Sequence, residues 1–277
     1  MDAPFFADDP VAAGDLDWEQ WVGGDADRAA WAGERWLAAW PRLGDAPPTL
    51  VDTRLALHRL AFYVMAPARR RANTKFGLRW TLGGFGTPFF GADEQVRVAG
   101  GEVIVQRGGA AASEPITTLA DAAAFVLDGP PDLEWRNGFD VVDAGDVDDR
   151  LPVDREAARF LGDWFGFAWS VLEELRADAE SVDAGRVQLW PEHFDAAVEC
   201  LTAERHAVFG ASPGDRSSDA PYLYVTSPRV AAVPGELWNA TAFVGAILPF
   251  DELLDASDQR AAALEFFRAR RSALAAS

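Results

Sequence analysis

Gln95 to Gln106 reads QVRVAGGEVIVQ. Val96 and Val98 alternate with polar or small neighbours, as do Val103 and Val105, and Gly100-Gly101 separates the two runs. Successive strand residues point to opposite faces, so this alternation predicts two half-buried strands, 95–99 and 102–106. A two-residue glycine link between them predicts a tight antiparallel hairpin. One face of that hairpin is apolar and needs a cover, which predicts helices packed on an antiparallel sheet.

Upstream, DTRLALHRLAFYVMAP carries Leu57, Leu60, Ala61 and Val64 at helical spacing, with Asp52 or Thr53 as cap and Pro67 as stop. FGLRWTL (76–82) reads as a further strand. Downstream, ITTLADAAAFVL reads as a helix capped by Thr118. The stretch 128–150 is rich in Pro, Gly and Asp and is the best boundary. A long helix over 154–178 follows, with Leu161, Trp164, Phe165, Ala168, Leu172 and Leu175 on its apolar side. The last third reads as strands, continuing past Pro191 and including HAVFGASPGD, PYLYVTS and ATAFVGAIL. A closing helix or helix pair ends it. The expected class is α+β, antiparallel sheet against helices, with two possible pseudo-duplicated halves. The expected divisions are a helical N-terminal extension (1–50), a first half (51–130) and a second half (150–277), forming one compact unit.

The chain has 277 residues, 49% hydrophobic, with 11 Trp and 18 Phe, enough for a substantial core. A net charge of −19 argues against nucleic acid and anionic membrane surfaces as partners, since both require clustered basic residues. The single cysteine, Cys200, excludes an internal disulfide and fits a reducing cytoplasm. The acidic N-terminus does not read as a signal peptide. No cofactor motif is present: GGFGTPFFG lacks the lysine of a P-loop and the helix of a dinucleotide fingerprint.

Against that acidity stands a basic island. From Thr53 to Ala92 lie Arg54, Arg59, Arg69, Arg70, Arg71, Lys75 and Arg79, and no acid. Guanidinium forks suit carboxylate or phosphate, and amides of the glycine run beside Thr87 could assist as a nest. The plainer reading pairs these arginines with the chain's own acids. A second constellation is EHFDAAVE. Drawn as strand, it aligns His193, Asp195 and Glu199 on one face, where they could bind a divalent metal or act as acid and base. The plainer reading is a solvated strand face. Tyr222, Tyr224, Trp238 and Asn239 could line a pocket or simply pack. Asp215 to Asp219 reads as a turn, and Cys200 as a buried thiol.

LWPEHFD (189–195), FGASPGD (209–215), PYLYV (221–225) and WNA (238–240), with GLRWTLGGFGTPFFG earlier, resemble a family of uncharacterised bacterial, mostly actinobacterial, proteins. The resemblance covers most of 50–255 and implies no activity. Two functions are therefore expected to compete. One is binding of a small anionic, partly apolar ligand by Arg69, Arg79, Thr87, His193, Tyr222, Tyr224, Trp238 and Asn239. The other is metal-assisted catalysis at His193, Asp195 and Glu199. An interaction module docking an acidic partner is a third. Sequence leaves the oligomeric state open.

Overall fold

The structure is a computed structural model. It describes residues 42–276 except 82, 92–93, 136–140, 203–204, 229 and 231–236, and also residues 24 and 26. The helical N-terminal extension expected over 1–50 lies for the most part outside the described residues. The protein is α+β, with two five-stranded antiparallel sheets. Its contacts divide it into two units. The first holds Ala46–Asp163 and Leu189–Phe194; the second holds Trp164–Gln188 and Asp195–Ser277, with 42–45.

In the first unit, α1 (Leu50–Leu60) runs through a π-helical turn (Ala61–Met65) into α2 (Ala66–Asn73). Pro67 does not end the helix, contrary to the sequence reading. It sits at the start of α2, just past the widened turn, where a missing N–H is tolerated. All five π-turn residues are buried. The Tyr63 carbonyl there accepts the Asp132 amide at 3.0 Å, and the Tyr63 hydroxyl donates to the Val142 carbonyl at 2.5 Å. These bonds tie the Pro- and Asp-rich stretch 128–150 to the helix, so this stretch belongs to the first unit rather than separating two.

The first sheet is a meander of β1 (Arg79–Thr81), β2 (Gly84–Gly86), β3 (Gln95–Ala99), β4 (Glu102–Arg107) and β5 (Ala110–Pro115). Gly100 and Gly101 have φ of 60° and 88°, the positive values a two-residue hairpin turn requires. Gln95 pairs with Gln106, as the alternation predicts. The segment read as one strand over 76–82 is instead β1, followed by a turn at Gly83 into β2. Then α3 (Leu119–Leu127) is capped by Thr118, whose hydroxyl accepts the Asp121 amide.

The helix α4 (Arg155–Ala177) begins under the Asp154 carboxylate, which accepts the amides of Glu156 and Ala157 at 3.0 Å. Its first nine residues count in the first unit and the rest in the second. The second sheet has the order β10-β9-β8-β7-β6, from β6 (Gln188–Trp190), β7 (Asp195–Thr202), β8 (Arg205–Ser212), β9 (Tyr222–Thr226) and β10 (Gly245–Pro249). Two helices close the chain, α5 (Phe250–Asp255) and α6 (Gln259–Ala276). In the second unit, α6 packs on β7 to β10, with Phe267 edge-on to Phe209 at 5.9 Å. Trp164 is fully buried and meets Phe250 edge-on at 5.7 Å. Among the described residues no helix is long and apolar enough to cross a membrane.

Candidate functional site

Register sorts the first sheet into two chemically distinct faces. Trp80, Phe85, Val98 and Val103 share one row, and Val96 pairs with Val105 in the next. This is the apolar face. Phe85 meets Phe194 edge-on at 5.0 Å, and Phe194 stacks on His58 of α1 at 5.3 Å, so α1 is reached from that side. On the opposite face, Arg79, Gly86, Arg97 and Ile104 form one row. Thr81 lies in the row on one side of it, and Gln95 and Gln106 lie in the row on the other.

This second face is polar yet buried. Arg79 is 4% exposed, Arg97 1%, Thr81 3% and Gln95 2%. Gly86 has no room for a side chain: a Cβ there would lie 2.6 Å from the Arg97 Cβ. Two arginines thus straddle a bare position, with their Cα atoms about 10 Å apart, twice the usual strand spacing. Burial lowers the Arg97 guanidinium to about 10, since removal from water penalises its charge. Among the described residues, the buried Thr81 hydroxyl and Gln95 Oε1 have no hydrogen-bond partner. Each such group costs free energy until something answers it.

Arg79 Nε donates to the Trp80 carbonyl at 3.2 Å, and the other members of the basic island lie elsewhere. Arg69 donates to the Gly77 carbonyl. Arg70 pairs with Asp132 and covers the Trp135 ring at 5.2 Å. Arg59 donates to the Asp143 carbonyl at 2.8 Å. Thr87 serves the sheet, its hydroxyl accepting the Val96 amide at 3.0 Å. The glycine run forms no nest, because Gly84–Gly86 is itself a strand paired on both sides.

The reading of 191–199 as continuous strand is corrected. Pro191 to Phe194 form a turn that buries Phe194 at a left-handed φ of 57°. The Phe194 amide returns to the Trp190 carbonyl at 2.7 Å, and His58 Nε2 lies 2.9 Å from the Pro191 carbonyl. His193 is therefore an exposed turn residue and does not share a strand face with Asp195. Glu199 contacts His206 at 3.1 Å. Among the described residues no group of three His, Cys, Asp or Glu side chains could hold a metal ion. Cys200 is a buried free thiol.

Asp195, Tyr222 and Tyr224 belong to the polar face of the second sheet. Tyr224 donates to Asp195 Oδ2 and Tyr222 to Asp215 Oδ2, each at 2.5 Å. A Cβ at Gly210 would come 2.3 Å from the Tyr224 ring, so that ring lies across the glycine. Burial and the adjacent carboxylates push both phenols up, which makes them donors rather than bases. Burial alone would raise Asp215, but hydrogen bonds from Tyr222, Ser217 and Ser218 hold it below its ordinary value. Asp195 of LWPEHFD and Asp215 of FGASPGD thus each accept a tyrosine hydroxyl from PYLYV. Asn239 bonds the Ile247 backbone twice, at 2.9 and 3.1 Å, and so serves the edge of β10. Trp238 is half-buried. A cleft of about 970 Å³ in the second unit is lined by Arg260, Arg268 and Glu174, the glutamate pairing with both arginines.

Sequence reasoning missed Arg97, Gln95 and Thr81. The available signal was the polar parity of QVRVA and EVIVQ, which puts Gln95, Arg97 and Gln106 on one face. Fold and site together define an α+β protein with two sequential antiparallel meanders, one bearing buried arginines on its polar face. Compared with protein-family models, curated proteins and solved structures, the chain matches none.

Proposed function

We propose that the first unit binds a small anionic, partly apolar ligand on the polar face of its sheet. The supporting observation is the row Arg79–Gly86–Arg97, two buried guanidiniums on either side of a position without a side chain. A planar guanidinium fork suits a carboxylate or phosphate. Ile104, next in the row, supplies apolar surface. Of the residues first considered, Arg79 stays in this site; Tyr222, Tyr224 and Asn239 have structural roles instead. The same proposal places the chain with the bacterial proteins sharing the LWPEHFD, FGASPGD and PYLYV motifs, and in a reducing cytoplasm, for which a lone buried cysteine is the support.

Thermal unfolding tests it. Phosphate or succinate is expected to raise the melting temperature beyond the effect of chloride at equal ionic strength. At 100 times its dissociation constant a ligand stabilises by about 2.7 kcal/mol. Equal shifts for all anions would leave the arginines with internal partners only.

A further inference from the structure

We infer that residues 1–23 dock on an aromatic surface of the first unit and strap it by charge. This stands apart from the anion-binding reading above. The surface is a row of three rings within the first unit. Trp190 and Phe76 have centroids 6.2 Å apart, and Phe76 and Trp135 lie 5.2 Å apart. All three are half-buried, so each still shows apolar surface to water. Trp135 stacks on the fully buried Phe62 at 4.8 Å, and Arg70 covers its ring while pairing with Asp132. Leu133 nearby in the chain is 41% exposed. Partly exposed aromatic rings with arginine among them are the composition of protein-binding patches. Arg71 and Lys75 add exposed positive charge. Arg71 donates to the Leu127 carbonyl at 3.4 Å, an uncharged acceptor that does not cancel its charge. Against them stands the exposed Glu134, next to Trp135 in sequence.

Complementarity names the occupant. The chain carries −19, so a separate acidic partner would meet repulsion from most of it. Residues 1–23 are already attached. They lie outside the described residues and carry Asp2, Asp8, Asp9, Asp15, Asp17 and Glu19, with no Lys or Arg. Phe5, Phe6, Trp18 and Trp21 supply aromatic anchors for the ring row. From residue 24 to the start of α1 at Leu50 the chain is long enough to reach any point on the unit, at about 3.3 Å per extended residue. Attachment makes the encounter intramolecular, so a contact too weak to hold a free peptide suffices. A strap held this way loosens when salt screens its charges.

The test is photo-crosslinking in the full chain, with p-benzoylphenylalanine in place of Trp18 and the products mapped by mass spectrometry. The expected links run within one chain to peptides containing Phe76, Trp135 or Trp190. Their yield is expected to fall as sodium chloride rises from about 0.05 M to about 1 M, where screening acts within about 3 Å. Arg71→Glu with Lys75→Glu should lower the low-salt yield about fivefold, the worth of reversing two exposed charges. No links, links only to other surfaces, links only between two chains, or a yield indifferent to salt would each overturn the inference. The salt comparison does not depend on the double variant folding.

Discussion

The Tyr224 hydroxyl reaches Asp195 Oδ2 at 2.5 Å by laying its ring across Gly210, one strand over. A side chain at 210 and this hydrogen bond cannot coexist. Gly210→Ala is expected to cost about 1–3 kcal/mol, the range for overpacked positions. Tyr224→Phe should cost about 1–3 kcal/mol, since it removes a hydrogen-bond donor from a buried carboxylate. The double variant should cost less than the sum, because the first change already displaces the ring. Urea denaturation of the three variants measures this. Strict additivity would mean that the ring does not depend on Gly210.

Trp164→Ala is expected to cost about 3–5 kcal/mol, the range for large aromatic truncations in cores. The indole is fully buried, stacked near Phe167 and edge-on to Phe250. A loss under 1 kcal/mol in chemical denaturation would contradict that packing.

His58 gives stability a pH dependence of defined sign. Burial drives its imidazole down to about 4, against the upward pull of backbone hydrogen bonds at Pro191 and Glu192. Between about 4 and 6.5 the unfolded chain binds the extra proton and the folded chain does not. Stability therefore falls as pH drops through that window, by about 3 kcal/mol at most. His58→Gln keeps a side-chain donor for Pro191 without titrating there. Its denaturation midpoint should fall less between pH 7 and pH 4 than that of the unmodified protein. Identical profiles would remove His58 as a cause.

The hairpin at Gly100-Gly101 was legible because a strict period of two and a glycine pair agree. The same glycine signal at Gly108-Gly109 precedes β5, but its sequence AAASEP lacks the branched residues that announce a strand. Pro67 misled because a π turn lets a helix pass a proline, and nothing local in the sequence marks that turn. Phe194 at positive φ is likewise a tertiary outcome, fixed by its ring between His58 and Phe85. For the site, counting basic residues by segment found Arg79 but ended at Ala92. Arg97 joins it only through strand register, which brings residues 18 positions apart into one row.

Arg97→Met separates a ligand site from an internal ion pair. Replacing a whole buried ion pair by apolar side chains is often neutral or stabilising, whereas removing one partner of an established pair costs about 3–5 kcal/mol. The expected result is loss of the phosphate-induced melting shift, whatever the change in stability without anions. A large loss with the shift intact would assign Arg97 to the scaffold.

The most direct measurement is a crystal structure with selenate, located by its anomalous scattering. The proposed site predicts a selenium peak over Gly86, within hydrogen-bond reach of both Arg79 and Arg97. Anomalous peaks only elsewhere, with carboxylates of the chain itself closing on both guanidiniums, would contradict it.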